Sequence, residues 1–305
     1  MMMRALKFWA KEEEQSPKML KPVLVYSTGR SGTTLMMQLL ETSPLIVFDH
    51  GYPFERRYLA YFLHWSSLLT KQPHPNKIWN QDKNSKTPEP DELVGGFPHI
   101  TSTLWMGEIL WSKAFMLAWH EFSKTAISKT KENSKVETDP KYYAEKAHLW
   151  VLEYLDQLAI PYNIIFLVRD PRDIFLSINA FDKQRGFRGF NRTDEDTDWD
   201  YAQRFVEGSR NMHKNKYLTS PNNILVRYED LVSNMPGEAK RLGQWLGIKL
   251  NAEYVKQQET NFKHHMTSPS PEASIERWRS ELSKDLNDFF VQELSEELRY
   301  FGYET

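Results

Sequence analysis

The stretch PVLVYSTGRSGTTLMMQLL, residues 22–40, narrows the fold more than any other part of this 305-residue chain. A short apolar run follows Pro22 and stops at Thr28-Gly29, the pattern of a buried strand. A helix, GTTLMMQLLETS, begins at once and runs to about Ser43-Pro44. A strand that passes straight into a helix is half of a crossover between parallel strands.

The same alternation continues. LIVF (45–48), KYYAEKA (141–147), YNIIFLVRD (162–170) and NNILVRYED (222–230) read as strands. PFERRYLAYFLHWSSLL (53–69), LWMGEILWSKAFMLAWHEFSKTAISKTK (104–131), HLWVLEYLDQLA and PRDIFLSINAF read as helices, the last with Pro171 at its first position, where a missing N–H costs nothing. A helix from about Leu231 to Trp245, then SPSPEAS and a helical C-terminus, complete the series. Strand alternating with helix predicts an α/β fold, a central parallel sheet flanked by helices. The chain is expected to form one domain over 1–305, with 1–20 as an N-terminal extension and 71–140 as an insertion or helical excursion.

Bulk properties exclude several classes. Hydrophobic residues are 40% and charged residues 26%, an ordinary globular balance. The net charge of −2 gives no reason to expect a nucleic-acid partner, so any anion site is a local patch. The chain has no cysteine, which removes disulfides, thiol catalysis and cysteine-bound zinc. The apolar run Ile164–Val168 falls far short of the ~20 residues that span a bilayer. MMMRALKFWAKEEEQS lacks the apolar core of a signal peptide. A soluble cytoplasmic protein is the expectation.

In an open parallel sheet the loop between a first strand and its helix lies on the ligand-binding rim. Exposed amides and the helix dipole favour an anion there. Gly29 and Gly32 permit a tight backbone, Arg30 adds charge, and Thr28, Ser31, Thr33 and Thr34 add hydroxyls. The loop is not the G-x-x-x-x-G-K-[ST] cradle of ATPases: its glycines are three apart, and Thr33 stands where the lysine belongs. A capped strand-to-helix turn without a ligand shares these residues. Further on, Arg169 ends a strand and Ser177 lies eight residues later, in the next helix. A guanidinium and a hydroxyl on the same rim suit a second phosphate.

Taken together, PVLVYSTGRSGTTLMMQLL and IIFLVRDPRDIFLSINAF resemble the sulfotransferase family. Its members transfer a sulfuryl group from 3′-phosphoadenosine 5′-phosphosulfate (PAPS) to a hydroxyl or amine, leaving adenosine 3′,5′-bisphosphate. The resemblance implies a three-layer, P-loop-NTPase-like fold. It makes Thr28–Thr34 the 5′-phosphosulfate loop, in the form seen in tyrosylprotein and some carbohydrate sulfotransferases, and Arg169 and Ser177 the 3′-phosphate motif. LVRYEDLV (225–232) resembles the segment whose tyrosine, here Tyr228, packs near the adenosine. YYAEKAHLW (142–150) resembles a strand end in heparan sulfate sulfotransferases, with Glu145 and Lys146 matching and Ala147-His148 replacing Thr-Pro. EASIERWRSEL (272–282) resembles a C-terminal segment of bacterial-type members and carries over Ser274 and Arg277 to the 3′-phosphate side. Phe181 is a departure, since tyrosylprotein enzymes place a further arginine at that position.

In-line transfer requires neutralising the leaving phosphate and removing the acceptor's proton. Arg30 suits the first task, with Lys146 as a second donor. Asp49, His50 and Glu55 follow the second strand, where related families place a base. His50 starts closer in pKa, whereas Glu55 needs burial. Glu55 is favoured, with His50 as the other candidate. No metal is demanded: Asp170 reads as a helix cap, and His264-His265 has no third ligand at useful spacing. The loop 183–200, basic and then acidic, reads as a solvated loop or a lid. A small-molecule kinase using ATP and a non-catalytic nucleotide-binding protein remain open as alternatives, and the acceptor is unspecified.

Overall fold

The computed structural model describes residues 19–49, 51–70, 107–134, 139–258 and 266–305. In chain order the elements are β1 (Lys21–Tyr26), α1 (Thr33–Glu41), β2 (Ile46–Val47), α2 (Tyr58–Ser67), α3 (Gly107–Ser134), β3 (Tyr142–Ala147), α4 (Leu149–Gln157), β4 (Asn163–Val168), α5 (Pro171–Arg185) and α6 (Asp198–Ser209). There follow β5 (Asn223–Arg227), α7 (Tyr228–Ser233), α8 (Met235–Leu246), α9 (Ala252–Gln258), α10 (Trp278–Glu281), α11 (Lys284–Glu293) and α12 (Ser295–Tyr300).

Two compact units result. The first, Lys21–Glu55, Tyr142–Leu149 and Pro161–Thr305, holds the whole sheet, five strands in the order β2-β3-β1-β4-β5. Every pairing is parallel, with Val25 opposite Lys146 on one side and Ile165 on the other. The chain therefore folds as an α/β protein with a central parallel sheet and flanking helices. β4, NIIFLV, is buried at all six positions, as a continuous apolar run in the middle of a parallel sheet should be. Val23, Val25, Ala144, Ile165, Leu167 and Val226 share one face and pack with Met36, Met37 and Leu40 of α1 and Leu242 and Leu246 of α8. The chain leaves β1 toward β2 at one edge and leaves β4 toward β5 at the other. The carboxyl ends of β1 and β4 thus flank the crevice where open sheets bind ligands.

The second unit spans Met1–Leu20, Arg56–Lys141 and Trp150–Ile160. Within it α2 packs on α3 through Phe62 against Trp119 and Phe122, with ring centroids 6.2 and 5.6 Å apart. The buried Trp119 donates its indole N–H to the Leu20 carbonyl at 3.1 Å. These aromatic side chains form a core. Apart from α3, most of the 71–140 excursion lies outside the described residues.

Two expected elements differ. The LIVF strand shrinks to Ile46–Val47, because only these two residues pair with β3. The expected helix from Leu231 is two helices broken at Asn234, whose φ is −138°. Pro236 lacks the N–H that a continuous helix would donate to Val232, and the Asn234 side chain accepts from Gly237 N to start α8 afresh. Asp170 caps α5 as expected, accepting from Arg172 N at 2.9 Å. No helix among the described residues is long and apolar enough to cross a membrane.

Candidate active site

The loop between β1 and α1 is held open by its backbone. Gly32 has φ 88°, and a Cβ there would lie 2.3 Å from the Tyr228 ring. Only glycine meets both demands. Arg30 also takes a left-handed φ of 65°, which a side-chain-bearing residue adopts at some cost. The Thr28 and Ser31 hydroxyls bond each other at 2.9 Å. Gly32 is the N-cap of α1 and offers no side-chain acceptor. The first-turn amides of α1, from Thr33 and Thr34 onward, have no intrahelical partner and sit at the positive end of the helix dipole.

Two buried guanidinium groups meet this loop. Arg169, at the end of β4, donates to the Arg30 carbonyl at 2.9 Å and the Ser274 carbonyl at 2.6 Å. Its Cζ lies 4.5 Å from the Tyr228 ring centroid, and its buried Nε has no hydrogen-bond partner among the described residues. Arg30 donates from Nε to Ser177 Oγ at 3.2 Å, and its guanidinium covers the Phe181 ring at 4.3 Å. Burial, and then the charge of Arg169, pushes the Arg30 pKa down to about 10. Arg30 therefore stays charged at neutral pH while sharing a poorly solvated crevice with a second cation. An anion between them offsets that cost.

The other expected residues gather around this pair. Ser177 Oγ also bonds Thr267 Oγ1 at 3.0 Å. The Tyr228 and Ser274 hydroxyls are 2.8 Å apart. Arg277 is ion-paired with Glu281 at 2.7 Å, and this hydrogen-bonded partner raises its pKa. Its third nitrogen donates to the Thr267 carbonyl at 3.3 Å. Lys146, buried at the end of β3, donates to Thr34 Oγ1 at 3.1 Å, the Pro53 carbonyl at 2.7 Å and Glu55 Oε1 at 2.7 Å. The Glu55 side chain is 48% exposed and paired with Lys146, so it lacks the burial the sequence reading asked of it, although a solvent-borne acceptor can reach it. Glu145 is buried and accepts from the Tyr143 hydroxyl at 3.0 Å. His50 and the His264-His265 pair lie outside the described residues.

A sequence model of the sulfotransferase family matches residues 22–252, three quarters of the chain. The chain belongs to the sulfotransferase family. No curated protein matches it. Among solved structures it is similar to the sulfotransferase domain from the curacin biosynthetic pathway (14% identity over 94% of this chain and 99% of that one, TM-score 0.44). It is also similar to mouse sulfotransferase SULT7A1 complexed with PAP (15%, 92% and 84%, TM-score 0.44). A third likeness is to sulfotransferase STF9 from Mycobacterium avium (15%, 99% and 81%, TM-score 0.44).

The donor set of this sulfotransferase fits a nucleotide carrying anionic groups at both ends. It has open helix-terminal amides, one arginine from the β1–α1 loop and one from the end of the adjacent β4, and an orphaned buried guanidinium N–H. Several participants were not evident from sequence. Phe190, in the loop after α5, packs so closely on Gly29 that a Cβ there would meet its ring at 2.7 Å. The same loop is pinned by the buried Arg192, which bonds Asn179 and pairs with Asp198 at 2.5 Å. Thr267 reaches Ser177 from a stretch with no sequence signal. Asp173 is fully buried and accepts from the amides of Glu276 at 2.7 Å and Trp278 at 3.0 Å. Its one sequence signal is the second Arg-Asp pair in RDPRD, which begins at Arg169.

Proposed function

We propose that the chain transfers a sulfuryl group from PAPS to a hydroxyl or amine acceptor by in-line displacement. The observation that carries this reading is the convergence of Arg30 and Arg169 from β1 and β4, bonded through the Arg30 carbonyl at 2.9 Å although 139 residues apart. When bound, the donor supplies an activated sulfuryl group on a 5′-phosphate and a 3′-phosphate by which it is held. The Thr28–Thr34 loop takes the 5′ side, with the α1 amides and Arg30 neutralising charge that develops there. Arg169 and Ser177 take the 3′ side, joined by Ser274 and Arg277, and Tyr228 supports the nucleoside. Lys146, bonded to the Thr34 hydroxyl, stands as a second cation beside the 5′ end. Glu55, fixed by Lys146 and open to solvent, accepts the acceptor's proton. His50 is the rival for that role. The absence of cysteine suits a reducing compartment, and we place the enzyme in the cytoplasm, acting on an acceptor of unassigned class and requiring no metal.

A transfer assay over a panel of sugars, phenols, lipids and peptides, run with PAPS in the absence of magnesium and with ATP in its presence, tests the reaction. Sulfated product from PAPS alone is expected. ATP-dependent phosphorylation without sulfation would replace this reading with a kinase. For the base, Glu55→Gln should still bind adenosine 3′,5′-bisphosphate and lose about 100-fold or more in turnover, the range of a positioned general base. If Glu55→Gln turns over normally, the role passes to His50.

A further inference from the structure

We propose that Asp173 is a positioning residue for donor binding: its carboxylate holds the turn Ser274–Trp278 against the helix that carries Ser177. The inference rests on the donor reading above and names a residue that reading does not use. Asp173 lies in the first turn of α5, fully buried, and touches neither the β1–α1 loop nor Lys146 through any bond described above. Its two oxygens accept different amides, Oδ2 from Glu276 and Oδ1 from Trp278. At the first of those two residues the backbone is left-handed, with Glu276 at φ 55°. A residue with a Cβ stays in that region only when its surroundings hold it there. Arg172 adds to the grip, its guanidinium 3.6 Å from the Trp278 ring centroid.

The segment so anchored serves the crevice from both sides. The Ser274 carbonyl accepts from Arg169, and the Ser274 and Tyr228 hydroxyls bond each other. Thr267 meets Ser177, and Arg277 ties Thr267 back to the turn. Asp173 thus acts on Arg169, Ser177 and Arg277 through backbone it fixes. Carboxylate chemistry suits this task, because an ionised carboxylate accepts on both oxygens and donates nothing. An asparagine would turn an NH2 group toward one of the two amides. The simpler role for an acid in a first helical turn is to complement the helix dipole. That role does not involve Glu276, and this difference separates the two.

The test measures the affinity of the full chain for adenosine 3′,5′-bisphosphate by calorimetry, which needs no acceptor. Asp173→Asn should weaken binding about tenfold or more, the size of one lost hydrogen bond with an unsatisfied buried donor. Adding Glu276→Gly should restore most of that loss, since glycine takes φ 55° without being held. Glu276→Gly alone should bind like the parent. Unchanged affinity in Asp173→Asn overturns the inference, and so does a loss that Glu276→Gly leaves untouched, which is the dipole outcome. If the parent chain does not bind the nucleotide, the donor reading itself fails, and this inference with it. If Asp173→Asn does not fold, hydrogen exchange on the parent decides. Slow exchange at the amides of Glu276 and Trp278, slower still with nucleotide, supports the anchor; exchange unaffected by nucleotide overturns it.

Discussion

Asp173 is a carboxylate placed where water does not reach, and its charge has a cost. Burial is the largest influence and pushes its pKa up to about 6; the charge of Arg169 and the two amide bonds oppose this, and Asp170 adds to it. Arg277 faces the same carboxylate. With the folded value above the ordinary 3.8, the folded chain holds a proton that the unfolded chain has released between those pH values. The stability this lends is fully present below about pH 4 and is lost as pH rises through about 6. Binding should run the opposite way: below pH 6 the protonated carboxyl loses acceptor capacity, the Ser274–Trp278 turn loosens, and nucleotide affinity falls. Phosphate groups titrate in the same range, so the readout is the difference in affinity profile between the parent and Asp173→Asn. A parallel fall in both chains would remove Asp173 from the pH dependence. Residues of this kind were not legible in the sequence. Arg30, Arg169 and Ser177 stand in short local patterns whose positions in a βα turn follow from the pattern itself. The roles of Asp173, Thr267 and Phe190 depend on contacts with segments 103, 90 and about 160 residues away, which no local spacing encodes.

At the level of elements, the apolar runs announced the strands because a central parallel strand must be apolar on both faces, as β4 is. Edges were less legible. β2 sits at the rim of the sheet, pairs over two residues, and its length is set by β3 rather than by its own sequence. The break between α7 and α8 was readable in principle from Asn234 and Pro236, but the apolar spacing of 231–246 continues across it and hides it. Asn234 then carries a measurable load. Its side-chain oxygen accepts the Gly237 amide as the cap, and its carbonyl accepts the amide of Glu238 as α8 begins. Asn234→Ala should lower stability by about 1 kcal/mol in denaturant unfolding, the ordinary worth of a helix cap. Because α8 supplies Leu242 and Leu246 to the core beneath the sheet, the loss should appear in global unfolding rather than as local fraying. A cap worth nothing would mean that this packing alone holds α8.

For the molecule as a whole, strand order decides what the residues can do together. Placing β1 beside β4 brings Arg30 and Arg169 to one crevice, and placing β3 on the other side of β1 brings Lys146 to Thr34. Every described residue assigned to donor binding, from Thr28 to Arg277, lies in the sheet-bearing unit, as do Lys146 and Glu55. Adenosine 3′,5′-bisphosphate should therefore stabilise that unit. At a free concentration 100 times its dissociation constant the gain is about 2.7 kcal/mol, because the ligand binds only the folded form. Scanning calorimetry of the full chain reads this as an upward shift of the transition that reports the sheet. Sheet tyrosines buried among the strands, such as Tyr143, offer an optical signal for assigning it. Arg169→Ala should abolish most of the shift, since a buried arginine bridging the Arg30 and Ser274 carbonyls is removed from the middle of the site, and truncating a buried charged contact costs about 2–5 kcal/mol of binding. A shift of the same size in Arg169→Ala would show that the nucleotide binds elsewhere. No shift in the parent at saturating nucleotide would show that the crevice between β1 and β4 does not take it at all.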